Sequence, residues 1–306
     1  VTLAEKFLSC SKPAKSLISA RPAGQFAKVE AIAPILRGAV ADASADDWRR
    51  MVLEFRNTPH VMNYVNGNEV SRYATTGPVT PDHVIRTKPK PLIIATPKEI
   101  ELKTFSVAAR SEVKKYKADY VRYFNRNNRK CEPPKIMLDP LPRVILMPGL
   151  GLFGLGKSAK DASIAADLAE TTARVITAAE ELGIYKCIPE SDIFDIEYWS
   201  LEQAKLGQAN EKPLSRHVVA VTGGASGIGA ATAAAFASRG AEVFILDRDL
   251  LAAQSVASRI GGVSLKCDVT RASSVERAFA HICRSSGGLD IFCLLYTSDA
   301  ADESSS

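Results

Sequence analysis

The sequence has no long hydrophobic run, no closely spaced cysteine pair, no internal repeat and no low-complexity tract. Since a helix needs roughly 20 apolar residues to cross a bilayer, the first absence predicts a protein without a membrane span. The N-terminus also lacks the apolar stretch and small-residue cleavage site of a signal peptide. The six cysteines are scattered, which fits reduced thiols in a cytoplasmic protein better than a disulfide framework or a zinc knuckle.

What is present is the composition of a globular protein, with 46% hydrophobic and 24% charged residues in a chain of 306. This length suggests about two domains and is sufficient to bury a sizeable core. The chain begins with Val1 rather than Met, so we expect the natural start to lie upstream.

The net charge of +5 is concentrated in residues 86–135, which hold 14 Lys and Arg against 5 Asp and Glu. Basic residues interleaved with aromatic ones are one pattern of nucleic-acid or anionic-substrate binding. Four apolar residues also recur in this stretch at helical spacing: Val113, Tyr116, Tyr120 and Phe124. The spacing favours an amphipathic helix with buried aromatics and solvated lysines, so we predict no nucleic-acid partner.

Apolar periodicity, glycines and prolines predict the remaining elements of the first two-thirds of the chain. The first elements are a helical tail or linker at 1–30 and two helical patterns within 31–56, where Asp46 and Asp47 favour the start of the second. A buried strand at 91–97 and a basic helix at 106–125 follow, and then a strand, glycine turn and strand at 142–156. The last elements are an alanine-lined helix at 158–181, a helix at 193–207 and a polar linker at 208–213.

A glycine-rich turn follows the linker, in the stretch HVVAVTGGASGIG (217–229). A β-branched strand precedes this turn and a helix follows it, so its glycines have the context of a nucleotide-binding unit. A helix N-terminus offers free N–H groups and a positive dipole end to a pyrophosphate. We expect Gly223 to permit the turn, Gly227 to allow close approach of the phosphate, and Gly229 to allow close helix packing.

Two further strands of the same unit end in acidic residues. EVFILD (242–247) ends in Asp247, which is placed to accept hydrogen bonds from both ribose hydroxyls and to repel a 2′-phosphate. Arg248 could instead attract a 2′-phosphate, so NAD is the predicted cofactor and NADP the alternative. GVSLKCDV (262–269) ends in Asp268 and Val269.

These pieces resemble the short-chain dehydrogenase/reductase family, through TGGASGIG (222–229), LDRD (246–249), CDVT (267–270) and GLDIF (288–292). The resemblance implies that Asp268 and Val269 contact the adenine. The predicted cofactor-binding residues are Gly223, Ser226, Gly227, Ile228, Gly229, Asp247, Arg248, Asp268 and Val269.

The family's catalytic residues do not follow these motifs. The resemblance implies an N-A-G sequence, a substrate-orienting Ser and a Y-x-x-x-K pair, in which the Tyr is the general acid/base and the Lys lowers its pKa. None of these occurs after Phe292, since Tyr296 has Ala300 at the Lys position. We therefore expect no catalytic residue here and an inactive, truncated Rossmann half. CLLYTSDAADE (293–303) is encodable by a transposase sequencing adapter, so we expect residues 293–306 to be a library scar.

Residues 30–207 resemble the bifunctional class II aldolase/short-chain dehydrogenase family, of the rhamnulose-1-phosphate aldolase/alcohol dehydrogenase type. LRGAVA (36–41), GPVTPDHVIRTKPKPLII (77–94), MLDPLPRVILMPGLGLFGLGKSAKDASIAAD (137–167) and FDIEYWSLEQAKLG (194–207) carry the resemblance. It implies a degenerate copy of a metal-dependent aldolase fold. PDHVIRTK (81–88) is similar to a metal-binding strand but keeps one His, His83, and Pro148 stands where a second ligand belongs. A catalytic zinc needs about three protein ligands, so we predict no metal and a structural, hydrogen-bonded His83.

The predicted fold is α/β, a truncated doubly wound parallel sheet preceded by a degenerate aldolase-like layered domain. The predicted boundaries are a tail at 1–30, the aldolase-like domain at 31–207, a linker at 208–213, the Rossmann half at 214–292 and the scar at 293–306. For the intact parent we expect a cytoplasmic homo-oligomer of rhamnose metabolism, which oxidises a small hydroxy compound or aldehyde with NAD and cleaves a sugar phosphate. The alternative is a non-catalytic nucleotide-binding or scaffold protein.

Overall fold

A computed structural model describes residues 25–44, 47–204 and 211–295, together with Leu3 and Lys6. The chain divides into two compact units, Val1–Ala209 and Asn210–Ser306. Most of the predicted N-terminal tail, part of the predicted linker and nearly all of the predicted scar lie outside the described residues. Those boundaries stay predictions.

The first unit is built from helices on both sides of a mixed sheet. Its described helices are α1 (Val29–Ala39), α2 (Pro59–Val65), α3 (Val70–Tyr73), α4 (Val84–Thr87), α5 (Leu102–Asn128), α6 (Ala159–Leu182), α7 (Glu190–Glu197) and α8 (Ser200–Ala204), with 3₁₀ turns at Pro81–His83 and Glu99–Glu101. Its described strands are β1 (Asp42–Ser44), β2 (Asp47–Arg49), β3 (Val52–Arg56), β4 (Leu92–Ile93), β5 (Val144–Met147) and β6 (Gly151–Gly156).

The main sheet of this unit has the order β3-β6-β5-β4. The β3–β6 and β6–β5 pairs are antiparallel, whereas β5 and β4 run parallel. Helices α1 and α5 pack on one face and α2, α3 and α6 on the other, so the sheet is buried on both sides. Strands β1 and β2 form a separate antiparallel hairpin.

Glycines in β6 let α6 lie directly against the sheet. A Cβ added at Gly154 would lie 2.4 Å from the carbonyl oxygen of Ala162, and one at Gly156 would lie 2.3 Å from its amide nitrogen. The alanines predicted to line α6 are all buried, and Ser158 caps the helix by accepting a hydrogen bond from the amide of Asp161. Small residues on both partners therefore set the short distance between strand and helix.

The basic helix prediction is confirmed in α5, where Val113, Tyr120 and Phe124 are buried and Tyr116 packs half-buried against the core. The strands predicted at 91–97 and 142–156 and the helix at 158–181 are also confirmed. The predicted last helix is two helices, α7 and α8, separated near Trp199.

Two predictions of local structure are wrong. Residues 47–56 form strands β2 and β3 rather than a second helix, because pairing of β3 with β6 outweighs the local helical pattern. The stretch PDHVIRTK, which is similar to a metal-binding strand, forms a 3₁₀ turn followed by the short helix α4.

The second unit alternates strands and helices around a parallel sheet. Its described elements are β7 (Val218–Thr222), α9 (Gly227–Ser238), β8 (Glu242–Asp247), α10 (Leu250–Ile260), β9 (Val263–Lys266), α11 (Ala272–Ser286) and β10 (Ile291–Cys293). The strand order is β10-β7-β8-β9 and all three pairs are parallel.

Successive residues of β7 point to opposite faces of this sheet. Val219 and Val221 pack with α9 and α10, whereas Val218 and Ala220 pack with α11. A sheet covered by helices on both faces is the doubly wound arrangement. The predicted α/β fold class is confirmed, with this Rossmann-type sheet preceded by the layered first unit.

Candidate functional site

The glycine turn lies at the carboxyl end of β7, where an open parallel sheet presents its ligand crevice. Gly223 and Gly227 adopt φ angles of 59° and 50°, in the left-handed region that favours glycine. A Cβ added at either position would meet nothing within 4 Å, so the backbone there faces open space. A Cβ at Gly229 would instead lie 2.1 Å from the carbonyl oxygen of Gly223. The first two glycines leave room for a ligand, and the third allows the helix to pack against the turn.

Ser226 and Ile228 stand at the start of α9. Ser226 is the N-cap residue with extended backbone, and its side chain makes no capping hydrogen bond. Ile228 is 76% exposed, so its apolar side chain is available at the surface. The first N–H groups of a helix have no partner within the helix. This end of α9 therefore offers an exposed hydroxyl, an apolar side chain and free amide donors.

Asp247 ends β8, next to the turn. One carboxylate oxygen accepts a hydrogen bond of 3.1 Å from the Ala225 amide, and the other accepts one of 3.0 Å from the Asp249 amide. These bonds fix the half-buried carboxylate against the glycine turn. Each oxygen has a second lone pair, so the group retains capacity to accept from ribose hydroxyls. Arg248 beside it is exposed.

Asp268 and Val269 follow β9 at the same end of the sheet. Hydrogen bonds from the hydroxyl and amide of Thr270 hold the pKa of Asp268 below its usual range, and the charge of Arg248 acts in the same direction. The amide of Asp268 donates to the Ser274 hydroxyl at 3.1 Å. Val269 is half exposed. All nine predicted cofactor-binding residues thus lie at or just beyond the carboxyl ends of β7, β8 and β9.

Three residues with supporting roles are absent from the prediction. Thr222 accepts from the Leu295 amide at 3.0 Å, and Asp290 accepts from the Val218 amide at 2.8 Å, so both tie β10 to β7. Gly224 lies against β8, where a Cβ would meet Ile245 at 2.8 Å. The motifs TGGASGIG and GLDIF contain all three residues, but only the folded sheet reveals these contacts.

The first unit contains no recognisable metal centre in the part that the structure describes. Within that part, no group of three or more His, Cys, Asp or Glu side chains could hold a metal ion. The buried Nδ1 of His83 has no hydrogen-bond partner among the described residues, so this ring nitrogen does not make the expected structural hydrogen bond. Likewise, none of the described helices is long and apolar enough to cross a membrane.

A buried polar cluster of the first unit surrounds Glu197, which is fully buried. Its carboxylate accepts from the Tyr120 hydroxyl at 2.7 Å, the Tyr123 hydroxyl at 3.0 Å and the Lys88 ammonium at 3.4 Å. Burial lowers the pKa of Lys88 to about 8, although the charge of Glu197 acts in the opposite direction. The Lys88 ammonium also donates to the Tyr120 hydroxyl at 2.8 Å. The members satisfy one another, so this cluster is a structural element rather than an open site.

Two known protein families match successive parts of the chain, in the order that the sequence predicts. The family described as "Aldolase class II, second domain" matches residues 27–206, and "short chain dehydrogenase" matches residues 217–294. The predicted order of an aldolase-type domain followed by a dehydrogenase domain is confirmed. "Uncharacterized oxidoreductase YuxG" of Bacillus subtilis (strain 168) is 32% identical over 286 residues, which cover 90% of this chain and 40% of YuxG.

Other relatives match the second unit. "D-threitol dehydrogenase" of Mycolicibacterium smegmatis is 39% identical over 83 residues, covering 26% of this chain and 32% of that protein. The crystal structure of 3-ketoacyl-(acyl-carrier-protein) reductase from Brucella melitensis, complexed with NADH, is 35% identical, with a TM-score of 0.25. The match covers 25% of this chain and 32% of that one. The chain thus spans less than half the length of these relatives.

Proposed function

Because the chain belongs to the class II aldolase family through its second-domain match, and carries a short-chain dehydrogenase domain after it, we propose that its second unit binds the adenosine and diphosphate portion of NAD. The observation that carries this proposal is the glycine turn. Gly223 and Gly227 combine left-handed backbone with open space at the start of α9. A diphosphate fits such a cradle, because free amides and the helix dipole both favour an anion there.

The acidic end of β8 favours NAD over NADP. The Asp247 carboxylate is held by two backbone amides, so it can accept from ribose hydroxyls without moving. A 2′-phosphate at the same place would meet this negative charge. Arg248 is exposed beside Asp247 and is the residue that could instead attract a 2′-phosphate. The half-exposed Val269 and exposed Ile228 offer apolar surface to the adenine and ribose.

For the whole protein we propose NAD-dependent oxidation of a small hydroxy compound or aldehyde, joined to cleavage of a sugar phosphate. Bound NAD would supply the hydride acceptor. The family's Tyr-x-x-x-Lys pair does not occur in these 306 residues, so we expect binding without turnover from this chain alone. A substrate from rhamnose metabolism, a cytoplasmic location and a homo-oligomeric parent remain parts of this proposal.

Calorimetric titration of the chain with NAD and with NADP tests the cofactor site. We expect NAD to bind more tightly, and Asp247→Asn to weaken NAD binding by about tenfold, because hydrogen bonds to a charged acceptor contribute roughly 1.5 to 3 kcal/mol. The same variant should reduce the ratio of NAD affinity to NADP affinity. Glu276→Gln removes an equal charge from the exposed face of α11 and should change neither affinity.

Two outcomes would contradict the proposal. One is the absence of NAD binding to a chain whose second unit is folded, as shown by slow amide hydrogen exchange in β7 and β8. The other is an equal effect of Asp247→Asn and Glu276→Gln, which would indicate a response to net charge alone.

A further inference from the structure

A cleft of about 380 Å³ opens in the first unit beside α5, far along the chain from the glycine turn. This volume lies within the range of small-molecule sites, which is roughly 300 to 1,000 Å³. Three tyrosines of α5, Tyr116, Tyr120 and Tyr123, line it, as do Ile188, Ile193 and Pro89. The cleft therefore combines aromatic and aliphatic side chains with charged ones.

Tyr116 is partly exposed and offers most of the aromatic surface of this cleft, whereas Tyr120 and Tyr123 are buried, and the hydroxyls of all three are engaged elsewhere. Those of Tyr120 and Tyr123 donate to the buried carboxylate of Glu197, and that of Tyr116 donates to the backbone carbonyl of Lys90 at 2.8 Å. Burial raises the pKa of Tyr123, so this phenol stays neutral. Neutral rings with occupied hydroxyls provide stacking surface rather than polar recognition.

Among the described residues that line the cleft, Lys90 adds a third cation to two ion pairs. Arg126 forms a two-pronged ion pair with Glu190, with a shortest distance of 2.7 Å, and Arg122 pairs with Asp119. Burial alone would raise the pKa of Glu190, but hydrogen bonds from Arg126 and Asn127 and the charge of Lys90 lower it. The exposed Lys90 ammonium therefore acts at this cleft, where cations outnumber carboxylates by three to two.

We propose that this cleft binds a small organic anion, with a ring or other flat apolar body against the tyrosines and one carboxylate or phosphate group at Lys90. A neutral flat molecule has no anionic group to pair with Lys90. An inorganic anion has no apolar body to displace water from the apolar side chains of the cleft. The inference concerns the first unit alone and does not depend on NAD binding by the second.

Phenyl phosphate and benzoate are suitable probes, because each joins one ring to one anionic group. Inorganic phosphate and benzyl alcohol are the matched probes with only one of the two features. Saturation-transfer NMR and calorimetry on the full chain give contact and affinity. We expect phenyl phosphate or benzoate to bind at least about tenfold more tightly than either matched probe, since one charged contact contributes roughly 1.4 kcal/mol or more. Whichever of the two binds more tightly identifies the anionic group.

Variants locate the probe within the cleft. Lys90→Met keeps the aliphatic stem and should weaken binding by about tenfold, whereas Lys103→Met removes an equal charge from an exposed position of α5 outside the cleft and should change it less than about twofold. Ile188→Ala should weaken phenyl phosphate binding and leave inorganic phosphate unaffected. All three side chains are exposed or partly exposed, so the fold should persist.

Three results would overturn the proposal. The first is binding of phenyl phosphate and benzoate no tighter than that of their matched probes, which would remove the requirement for both features. Lys90→Met and Lys103→Met could weaken binding equally, which would indicate a response to net charge. Displacement of the probe by NAD would place it at the glycine turn instead.

Discussion

Replacing Glu197 by Gln should destabilise the first unit in a way that depends strongly on pH. The side chains of Glu197 and Lys88 are 0% and 3% exposed, so solvent does not screen their interaction. Gln is close to Glu in shape and can still bond both tyrosine hydroxyls that now donate to the carboxylate. The substitution therefore removes the negative charge with little change in packing.

Loss of the Glu197 charge should lower the pKa of Lys88. Burial already lowers it to about 8, against an unperturbed value of 10.5, and the charge of Glu197 limits the shift. Breaking a buried ion pair from one side costs roughly 3 to 5 kcal/mol, or about 2 to 4 pK units, which would move the pKa of Lys88 well below its wild-type value. In the variant, folded Lys88 should thus be neutral over most of the neutral pH range.

The direction of the pH effect follows from proton uptake. Below the folded pKa of about 8, wild-type Lys88 is protonated in both the folded and the unfolded chain, and unfolding exchanges no proton there. In the variant, unfolding takes up one proton, so falling pH favours the unfolded chain by about 1.4 kcal/mol per pH unit. The expected loss of stability is about 1 kcal/mol at about pH 7.5 and about 3 kcal/mol at about pH 6.

Urea titration followed by tryptophan fluorescence measures this loss, because Trp48 and Trp199 both belong to the first unit. Combining Glu197→Gln with Lys88→Met should abolish the extra pH dependence, since no ammonium remains to neutralise. Glu112→Gln is the matched control: it breaks an exposed pair with Lys115 on α5 and should cost less than about 0.5 kcal/mol at either pH. A loss from Glu197→Gln of equal size at both pH values would refute the reasoning.

Substitutions at four glycines test close packing and backbone strain, and a substitution at Asp290 tests one side-chain hydrogen bond. Gly154→Ala should destabilise the first unit by about 1 to 3 kcal/mol by urea titration, because its Cβ collides with α6; Gly38→Ala, in open space within α1, should be neutral or stabilising by up to about 1 kcal/mol. Gly229→Ala should destabilise the second unit by about 3 kcal/mol, detected as faster amide exchange in β7, whereas Gly227→Ala should cost only about 1 to 2 kcal/mol of strain. Asp290→Ala leaves the Val218 amide without its side-chain acceptor and should cost about 1 to 3 kcal/mol in the same exchange experiment.

Sequence reasoning succeeded where one periodic pattern determines one element. The alanines of α6 recur at helical spacing, and the strands around the glycine turn are continuous β-branched runs, so both are readable locally. Strand β3 was missed because its place depends on pairing with β6, about a hundred residues later in the chain. Helix α4 was missed because similarity to a strand motif does not determine the backbone conformation of a short segment.

The buried pair shows the same limit at the level of single side chains. Lys88 and Glu197 lie 109 positions apart, and no local pattern connects them. Both occur in stretches that carry the family resemblance, DHVIRTK and EYWSLEQAKLG, which was the only available signal. The predicted inward face of α5 placed Tyr120 correctly, but its hydroxyl contact with Glu197 required the folded chain.

Satisfied and unsatisfied polar groups separate the structural clusters of this protein from its candidate sites. A strongly shifted pKa in a buried position is a common sign of a functional site, and Lys88 has one. Yet the carboxylate of Glu197, the ammonium of Lys88 and the hydroxyls of Tyr120 and Tyr123 bond to one another, so these polar groups are engaged within the cluster. At the start of α9 the Ser226 side chain makes no capping bond, the first amides have no partner within the helix, and glycine backbone borders open space. Because binding energy comes from groups that still lack partners, the glycine turn is the better candidate for a binding site, although the more perturbed ionisable group lies in the other unit.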